Sequence, residues 1–311
     1  MELYPGLHRI DAPFEQGRQV NLWLFTGRRP VLVDTGVAGV PREAILPYFV
    51  DLGLPPQDLK LVINLHAHAD HIGGNAEILR AAGVTGDGSD DSLLIAAHNT
   101  DAPAIADHRL LATEVAGIVD EERIAAFMRR CGDDVPVGRR FRGGEILEIG
   151  TSEIKVLHTP GHTAGSLSLY DLGRRALIHG ESVMGVGTTD DRGFRSTPFG
   201  LDPQRYRQTL QQLTEIEFEL FLSSHCPPMS RDDGLESIAV SLAELDSYEA
   251  ACRTALAEGV SSAQEMAEAV SQEGGYQQGR RLLSQVEHTL RNWTREGLVT
   301  QTASGAYRLA R

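Results

Sequence analysis

Lysine is almost missing from this chain. Only Lys60 and Lys155 occur in 311 residues, so arginine supplies nearly all of the 29 positive charges. Acidic residues number 43, leaving a net charge of −14, which argues against a general surface for nucleic acid or other polyanions. Cysteine is scarce as well. Cys131, Cys226 and Cys252 are far apart and odd in number, with no CxxC pair, so neither a disulfide framework nor a thiolate zinc knuckle is indicated. A reducing compartment is expected. No apolar run approaches the ~20 residues of a membrane span. The stretch from Met1 to Ile10 has neither the basic start nor the apolar centre of a signal peptide. A cytoplasmic protein with no membrane partner is the expectation. Repeats and low-complexity tracts are also absent.

Against these absences stands one dense cluster. Val62-Ile63-Asn64-Leu65 reads as a buried strand, and His66, His68, Asp70 and His71 follow it within six residues. Imidazole and carboxylate are the ligands that zinc and similar divalent ions take. One strand end cannot wrap all four groups around a single ion, because alternate and following positions point in different directions. The pattern therefore predicts two adjacent metals, each completed from elsewhere.

Periodicity gives the organisation around that cluster. Residues 8–36 read as short strands broken by turns, 41–52 as a helix ending near Gly53, and 60–65 as a strand. A helix is expected over 72–82, stopped by Gly83, and the glycine-rich acidic run 86–91 reads as a surface insertion. Residues 93–97 read as a strand ending at His98. Helical patterning marks 103–130 through Leu110, Leu111, Val115, Ile118 and Val119, and strands are expected at 145–149, 154–157, 166–170 and 176–178. Farther on, 235–257 reads as one amphipathic helix with Leu235, Ile238, Leu242, Leu245 and Tyr248 on one face. Ser262 to Glu265 is a capping-box signature. Leu282, Leu283, Val286, Leu290 and Trp293 recur at helical spacing up to Gly297, and 298–309 reads as a hairpin.

The motif HxHxDH followed by Gly73-Gly74-Asn75 resembles the metallo-β-lactamase fold of hydrolases. So do Val31-Leu32-Val33-Asp34-Thr35-Gly36, the loop Thr159-Pro160-Gly161-His162-Thr163-Ala164-Gly165-Ser166, and Ser223-Ser224-His225. The similarity spans about residues 20 to 230. It implies an α/β, αββα sandwich at 1–232, and helix, helix and hairpin at 233–311 are similar to the winged helix carried by one branch of the family. It further implies that His66, His68 and His162 hold one metal, that Asp70, His71 and His225 hold the second, and that Asp34 accepts a hydrogen bond from the far nitrogen of a ligand histidine. The remaining histidines, His8, His98, His108, His158, His179 and His288, read first as structural. His179 is a mild exception, because it lies two residues before Glu181.

Glu181 departs from the pattern. The family usually has Gly-Asp after this strand, with the aspartate bridging both metals, and here Gly180-Glu181 stands instead. Glutamate could bridge or bind one metal, in preference to no ligand role. Some alkylsulfatase-like relatives use glutamates near this position.

The expected cofactors are two divalent ions, zinc first, with manganese or ferrous iron as alternatives. Zinc lowers the pKa of bound water to ~7, and Asp70 could accept a proton as the reaction proceeds. His68 is not the glutamate of a redox di-iron site. A small ester, thioester or lactone is the expected substrate. The alternatives are a phosphodiesterase or ribonuclease, and a metal-binding sensor or regulator with a site degenerate at Glu181. Arg280, Arg281, Arg291 and Arg295 lie near a would-be recognition helix. Yet residues 252–311 carry only 7 basic against 6 acidic residues, a net +1, while 1–251 carry 22 against 37, a net −15. Phosphate neutralisation dominates nucleic-acid affinity, so nucleic acid is not an expected partner. A structural or dimerising role suits the C-terminal module better, with a homodimer as the protein partner. Met184, Phe194, Phe199 and Tyr206 are candidates to line the substrate pocket or to pack as ordinary core.

Overall fold

The structure, a computed structural model, describes residues 1–14, 18–84, 93–150, 152–187, 193–197 and 200–310. The run 86–91 and Phe199 lie outside the described residues. The chain divides into two compact units. The first comprises 1–159, 165–181 and 218–230, and the second 160–164, 182–217 and 231–311. The expected boundary at 232/233 lies close to the last of these switches, and two inner segments group with the C-terminal portion.

Two sheets build the first unit. One runs in chain order through β1 (Glu2–Tyr4), β2 (Leu7–Pro13), β3 (Gln19–Phe25), β4 (Val31–Val33), β5 (Leu61–Ile63), β6 (Leu94–His98) and β7 (Arg139–Phe141). It is antiparallel as far as β4 and parallel from β4 to β7. The other orders as β13 (Met229–Ser230), β12 (Leu220–Ser223), β11 (Ala176–His179), β10 (Leu167–Asp171), β9 (Ser152–His158) and β8 (Ile146–Ile149). Side chains alternate between faces along a strand, and the core follows that period. Trp23, Phe25, Val31, Val33, Leu61 and Ile63 share one apolar cluster with Ile154, Val156, Leu169 and Ile178 of the second sheet. Leu22, Leu24, Leu32, Val62 and Ile95 point the other way, onto Ile45, Phe49, Ile72 and Ile78. The metal motif thus begins where a doubly buried strand, β5, runs out.

Helices depart from the expected ranges in physically legible ways. The helix expected over 41–52 is a π-turn at Pro41–Ile45 running into α1 (Leu46–Leu52), closed by Gly53 in the left-handed conformation. The helix expected over 72–82 is broken into α2 (Ala69–Ile72) and α3 (Asn75–Ala81). The break falls at Gly73-Gly74, where backbone from other loops presses in. A Cβ on Gly73 would lie 2.4 Å from the Arg130 carbonyl, and one on Gly74 2.4 Å from the Thr35 carbonyl. The 103–130 region holds α4 (Ala102–Ala106), α5 (His108–Leu110), a π-turn (Leu111–Val115) and α6 (Glu121–Cys131). Val119 lies between them and is exposed, not on an apolar face.

The second unit carries α7 (Pro203–Thr214), a helix not among the expected ones, followed by α8 (Arg231–Ala257), α9 (Ala263–Gly274) and α10 (Arg280–Arg295). A hairpin of β14 (Val299–Gln301) and β15 (Tyr307–Leu309) ends it. The capping box at α9 is present, with Ser262 Oγ accepting from Glu265 N at 3.2 Å and Glu265 Oε2 accepting from Ser262 N at 3.1 Å. Leu282, Val286, Leu290 and Trp293 of α10 are buried, while Arg280, Arg281, Arg291 and Arg295 are exposed. Among the pocket candidates, Tyr206 is wholly buried and its hydroxyl accepts from Met184 N at 3.0 Å. It is a core residue. Phe194 is exposed. No helix among the described residues is long and apolar enough to cross a membrane.

Candidate metal centre

Asp34 follows β4 and adopts φ 61°, the left-handed region that aspartate tolerates better than most residues. That turn aims its carboxylate inward. Oδ1 accepts from Leu65 N at 2.8 Å, which fixes the exit of β5, and Oδ2 lies 2.7 Å from His71 Nδ1. With Nδ1 committed, His71 turns Nε2 toward Asp70 Oδ2 and Glu181 Oε2, each 3.6 Å away. The His71 carbonyl is held too, by Thr35 N at 2.9 Å and by Asn64 Nδ2 at 3.0 Å. Asn75 closes the cluster by donating to Asn64 Oδ1 at 2.8 Å and accepting from Thr35 Oγ1 at 3.0 Å. Asp101, at the start of α4, accepts from Ala67 N at 3.0 Å and so fixes the backbone between His66 and His68. Sequence spacing does not identify these supports, although Asn64 and Asn75 flank the motif. Only a polar residue at the edge of an apolar run could have signalled them.

Glu181, directly after β11, is the point where the donors converge. Its Oε2 lies 2.8 Å from His66 Nε2, 3.7 Å from His68 Nδ1 and 3.6 Å from His71 Nε2, while Oε1 lies 3.9 Å from His225 Nε2. On the other side, His225 Nε2 lies 3.3 Å from Asp70 Oδ2, and its Nδ1 faces the Gln19 carbonyl at 3.3 Å. Two donor groups result within the first unit, His66-His68-Glu181 and Asp70-His71-His225, and each could hold a metal ion. His66 and His71 are closed off, whereas His68 and His225 are 30% and 26% exposed, so the centre opens to solvent on their side. His162 is buried on the loop 160–164, which groups with the second unit.

Burial sets the charge states. It raises Asp34 and pushes His66 well below the ordinary imidazole value, and the neighbouring His71 deepens the His66 shift. Burial would lower His71 also, but the Asp34 and Asp70 carboxylates hold it well above. Burial opposes ionisation of Asp70, and His71 with His225 nonetheless keeps it far below the usual carboxylate range. The donor set fits a divalent cation on one further observation. His71 Nε2 is buried and makes no hydrogen bond among the described residues, while carboxylates face it from two directions. A polar atom left so would cost ~1–3 kcal/mol without a partner.

Residues 16–225 match the sequence profile described as Metallo-beta-lactamase superfamily. The chain belongs to that superfamily. A metallo-beta-lactamase family protein from Thermus thermophilus superposes with a TM-score of 0.70 at 20% identity, covering 100% of both chains. A beta-lactamase domain protein from Burkholderia ambifaria gives 0.71 at 20% identity, covering 100% of this chain and 94% of that one. These likenesses carry the αββα fold. Among curated proteins, the human acyl-coenzyme A thioesterase MBLAC2 is 26% identical over 200 residues, 57% of this chain and 63% of that protein. The hydroxyacylglutathione hydrolase of Methylococcus capsulatus is 27% identical over 155 residues, 50% of this chain and 43% of that protein. The chain thus spans less than two thirds of the length of these relatives.

The other histidines behave as structural residues. His8 Nδ1 pairs with the Tyr48 hydroxyl at 3.1 Å, His98 Nδ1 accepts from Thr100 N at 3.1 Å, His108 Nδ1 faces the Gly132 carbonyl at 3.2 Å, and His288 Nδ1 faces the Ser284 carbonyl at 2.8 Å. His158 stacks on His98 at 4.0 Å. His179 packs against Phe221 at 4.4 Å, and burial lowers it to about 3. It makes no hydrogen bond to Glu181 among the described residues.

Proposed function

We propose that this superfamily member is a divalent-metal-dependent hydrolase of a small thioester, with carboxylic esters and lactones as neighbouring substrate classes. The observation that carries this reading is the Glu181 carboxylate, set between two groups of imidazole and carboxylate donors at 2.8 to 3.9 Å. In this reading Glu181 would serve as a ligand to one or both of two ions. His66 and His68 would hold one ion, Asp70, His71 and His225 would hold the second, and the family pattern implies His162 as a further ligand. Zinc is the first choice for both ions, with manganese or ferrous iron as alternatives.

When bound, the ions supply an acidified water and a Lewis acid for a carbonyl oxygen. The chain's own residues do the rest. Asp34 locks the ring of His71. Asp101 and Leu65 N fix the backbone on either side of His66. Asp70, held ionised by its histidine neighbours, would serve as a ligand and, by the family resemblance, as the proton acceptor. The open edge at His68 and His225 admits the acyl group. A thiolate leaves with a conjugate-acid pKa of ~8.5, so the site requires no second general acid for the leaving group. The names of the curated relatives, an acyl-coenzyme A thioesterase and a hydroxyacylglutathione hydrolase, point to the same bond type.

The C-terminal helices and hairpin have the element order of a winged helix, and we assign them a structural role. A homodimer and a cytoplasmic setting complete the proposal. The test is one preparation assayed with zinc and with manganese on acyl-coenzyme A, acyl-glutathione, aryl ester, lactone and single-stranded RNA. Chelator-sensitive thioester turnover with negligible RNA cleavage is expected. Robust RNA cleavage without turnover of any carbonyl substrate would replace this reading with a phosphodiesterase.

A further inference from the structure

The His162 loop has no freedom of its own. Thr209 Oγ1 of α7 donates to the Pro160 carbonyl at 2.7 Å, and Asp202 N donates to the Gly161 carbonyl at 3.2 Å. Gly200 lies directly against the loop. A Cβ at this position would stand 1.9 Å from His162 Cα and 2.2 Å from the His162 carbonyl oxygen, so only glycine fits and any shift of Gly200 moves His162.

What holds Gly200 comes from the other end of the chain. Gln285 of α10 is wholly buried, and its Nε2 donates to the Gly200 carbonyl at 2.7 Å. Farther along the same helix, Asn292 Nδ2 donates to Asp202 Oδ1 at 3.3 Å, and that same oxygen caps α7 by accepting from Arg205 N at 3.2 Å. A buried amide on a face that also carries Leu282, Val286, Leu290 and Trp293 gives up apolar packing. Its retention calls for a polar duty, and the Gly200 carbonyl supplies one. All of these residues belong to one compact unit.

We infer that Gln285 is a positioning residue for His162, acting through Gly200, so that α10 sets the place of that imidazole and is not merely an appended module. The inference rests on the reading of His162 as a metal ligand. It specifies a function for the C-terminal helices that neither nucleic-acid recognition nor dimerisation supplies.

Cobalt(II) is the probe, because its visible absorption reports ligand number and geometry directly. Apo-protein is titrated with cobalt for wild type, Gln285→Met, Asn292→Ala, Glu244→Gln and His162→Ala. Gln285→Met keeps length and burial and removes the amide that donates to Gly200. Support residues of this kind typically govern 10- to 100-fold in metal affinity, so one of two cobalt ions is expected to bind ~10-fold or more weakly, with an altered spectrum and the other ion unchanged. Asn292→Ala, a milder change on the same link, should shift the same ion in the same direction, and it decides the matter if Gln285→Met does not fold. Glu244→Gln breaks a different contact of this unit, the 2.8 Å ion pair with Arg195, and should leave the titration unaltered. Wild-type affinity and spectrum in Gln285→Met and Asn292→Ala would overturn the inference, as would an equal loss in Glu244→Gln. Unchanged cobalt stoichiometry in His162→Ala would instead overturn the ligand reading beneath it.

Discussion

The Asp34 and 64–75 region and the α10 helix both aim histidines, and they do it with opposite materials. Around His71 the support is polar and buried: Asp34, Thr35, Asn64 and Asn75 satisfy one another and leave a single imidazole nitrogen facing the carboxylates. Along α10 the support is an apolar stripe, with Gln285 and Asn292 as its polar contacts to the 200–202 segment. A closed polar network fixes one geometry, because any displacement strands a buried donor or acceptor. An apolar stripe fixes a helix only to within the tolerance of packing. The first region should therefore govern chemistry and the second stability, with Gln285 as the exception.

The largest effect expected from that contrast is at Glu181. Glu181→Gln keeps shape and removes the charge shared by both donor groups. Turnover should fall by ~100-fold or more, since the outer supports of a metal already carry 10- to 100-fold, and the second metal should bind more weakly. Glu181→Asp should retain part of the activity, because it restores the family's usual residue on a backbone fitted to glutamate. Full activity and full metal content in Glu181→Gln would place this carboxylate outside the ligand set.

Next comes a purely structural loss on the other side. Leu290 is wholly buried, and Leu290→Ala should cost ~2–5 kcal/mol of stability, read by chemical denaturation. Metal content per folded molecule should stay near wild type. A loss of metal larger than the loss of folded protein would blur the distinction between the regions.

A smaller effect is expected at Asp34. Asn accepts the same left-handed backbone and can still accept from Leu65 N, but its amide cannot accept the His71 Nδ1 proton. Asp34→Asn should lower metal affinity by ~10- to 100-fold and cost ~1–3 kcal/mol of stability for the buried donor left unpaired. Smallest of all, Arg280→Ala with Arg281→Ala removes two exposed charges and should change stability by no more than ~0.5 kcal/mol, with no change in turnover. A gel-shift signal in wild type that this pair abolishes would revive a nucleic-acid role for the module.

Much of this was legible in the sequence, for reasons that differ by region. The six-residue cluster from His66 to His71 and the terminal helices announce themselves through local spacing and the period of 3.6 in α10, the strands through their period of 2, and the Asp-Thr-Gly turn only through the family resemblance. The break at Gly73-Gly74 was hidden, because it is caused by the Arg130 and Thr35 carbonyls arriving from distant loops. The support from Asp101 was hidden for the same reason: 34 positions separate it from the backbone amide it accepts from. α7 carries its own signal, with Tyr206, Leu210 and Leu213 at helical spacing behind the Asp202 cap and Pro203. Glu181 was visible as a departure, but only the distances from it to four histidines show that the longer carboxylate reaches both donor groups.

Two donor groups are proposed to hold two ions, with Glu181 between them. Elemental analysis of wild type, His66→Ala and His225→Ala, each loaded with zinc and freed of excess metal, tests this arrangement most directly. Two ions per chain are expected in wild type and about one in each variant. Two ions retained in both variants, or a single ion in wild type that only His66→Ala removes, would contradict it.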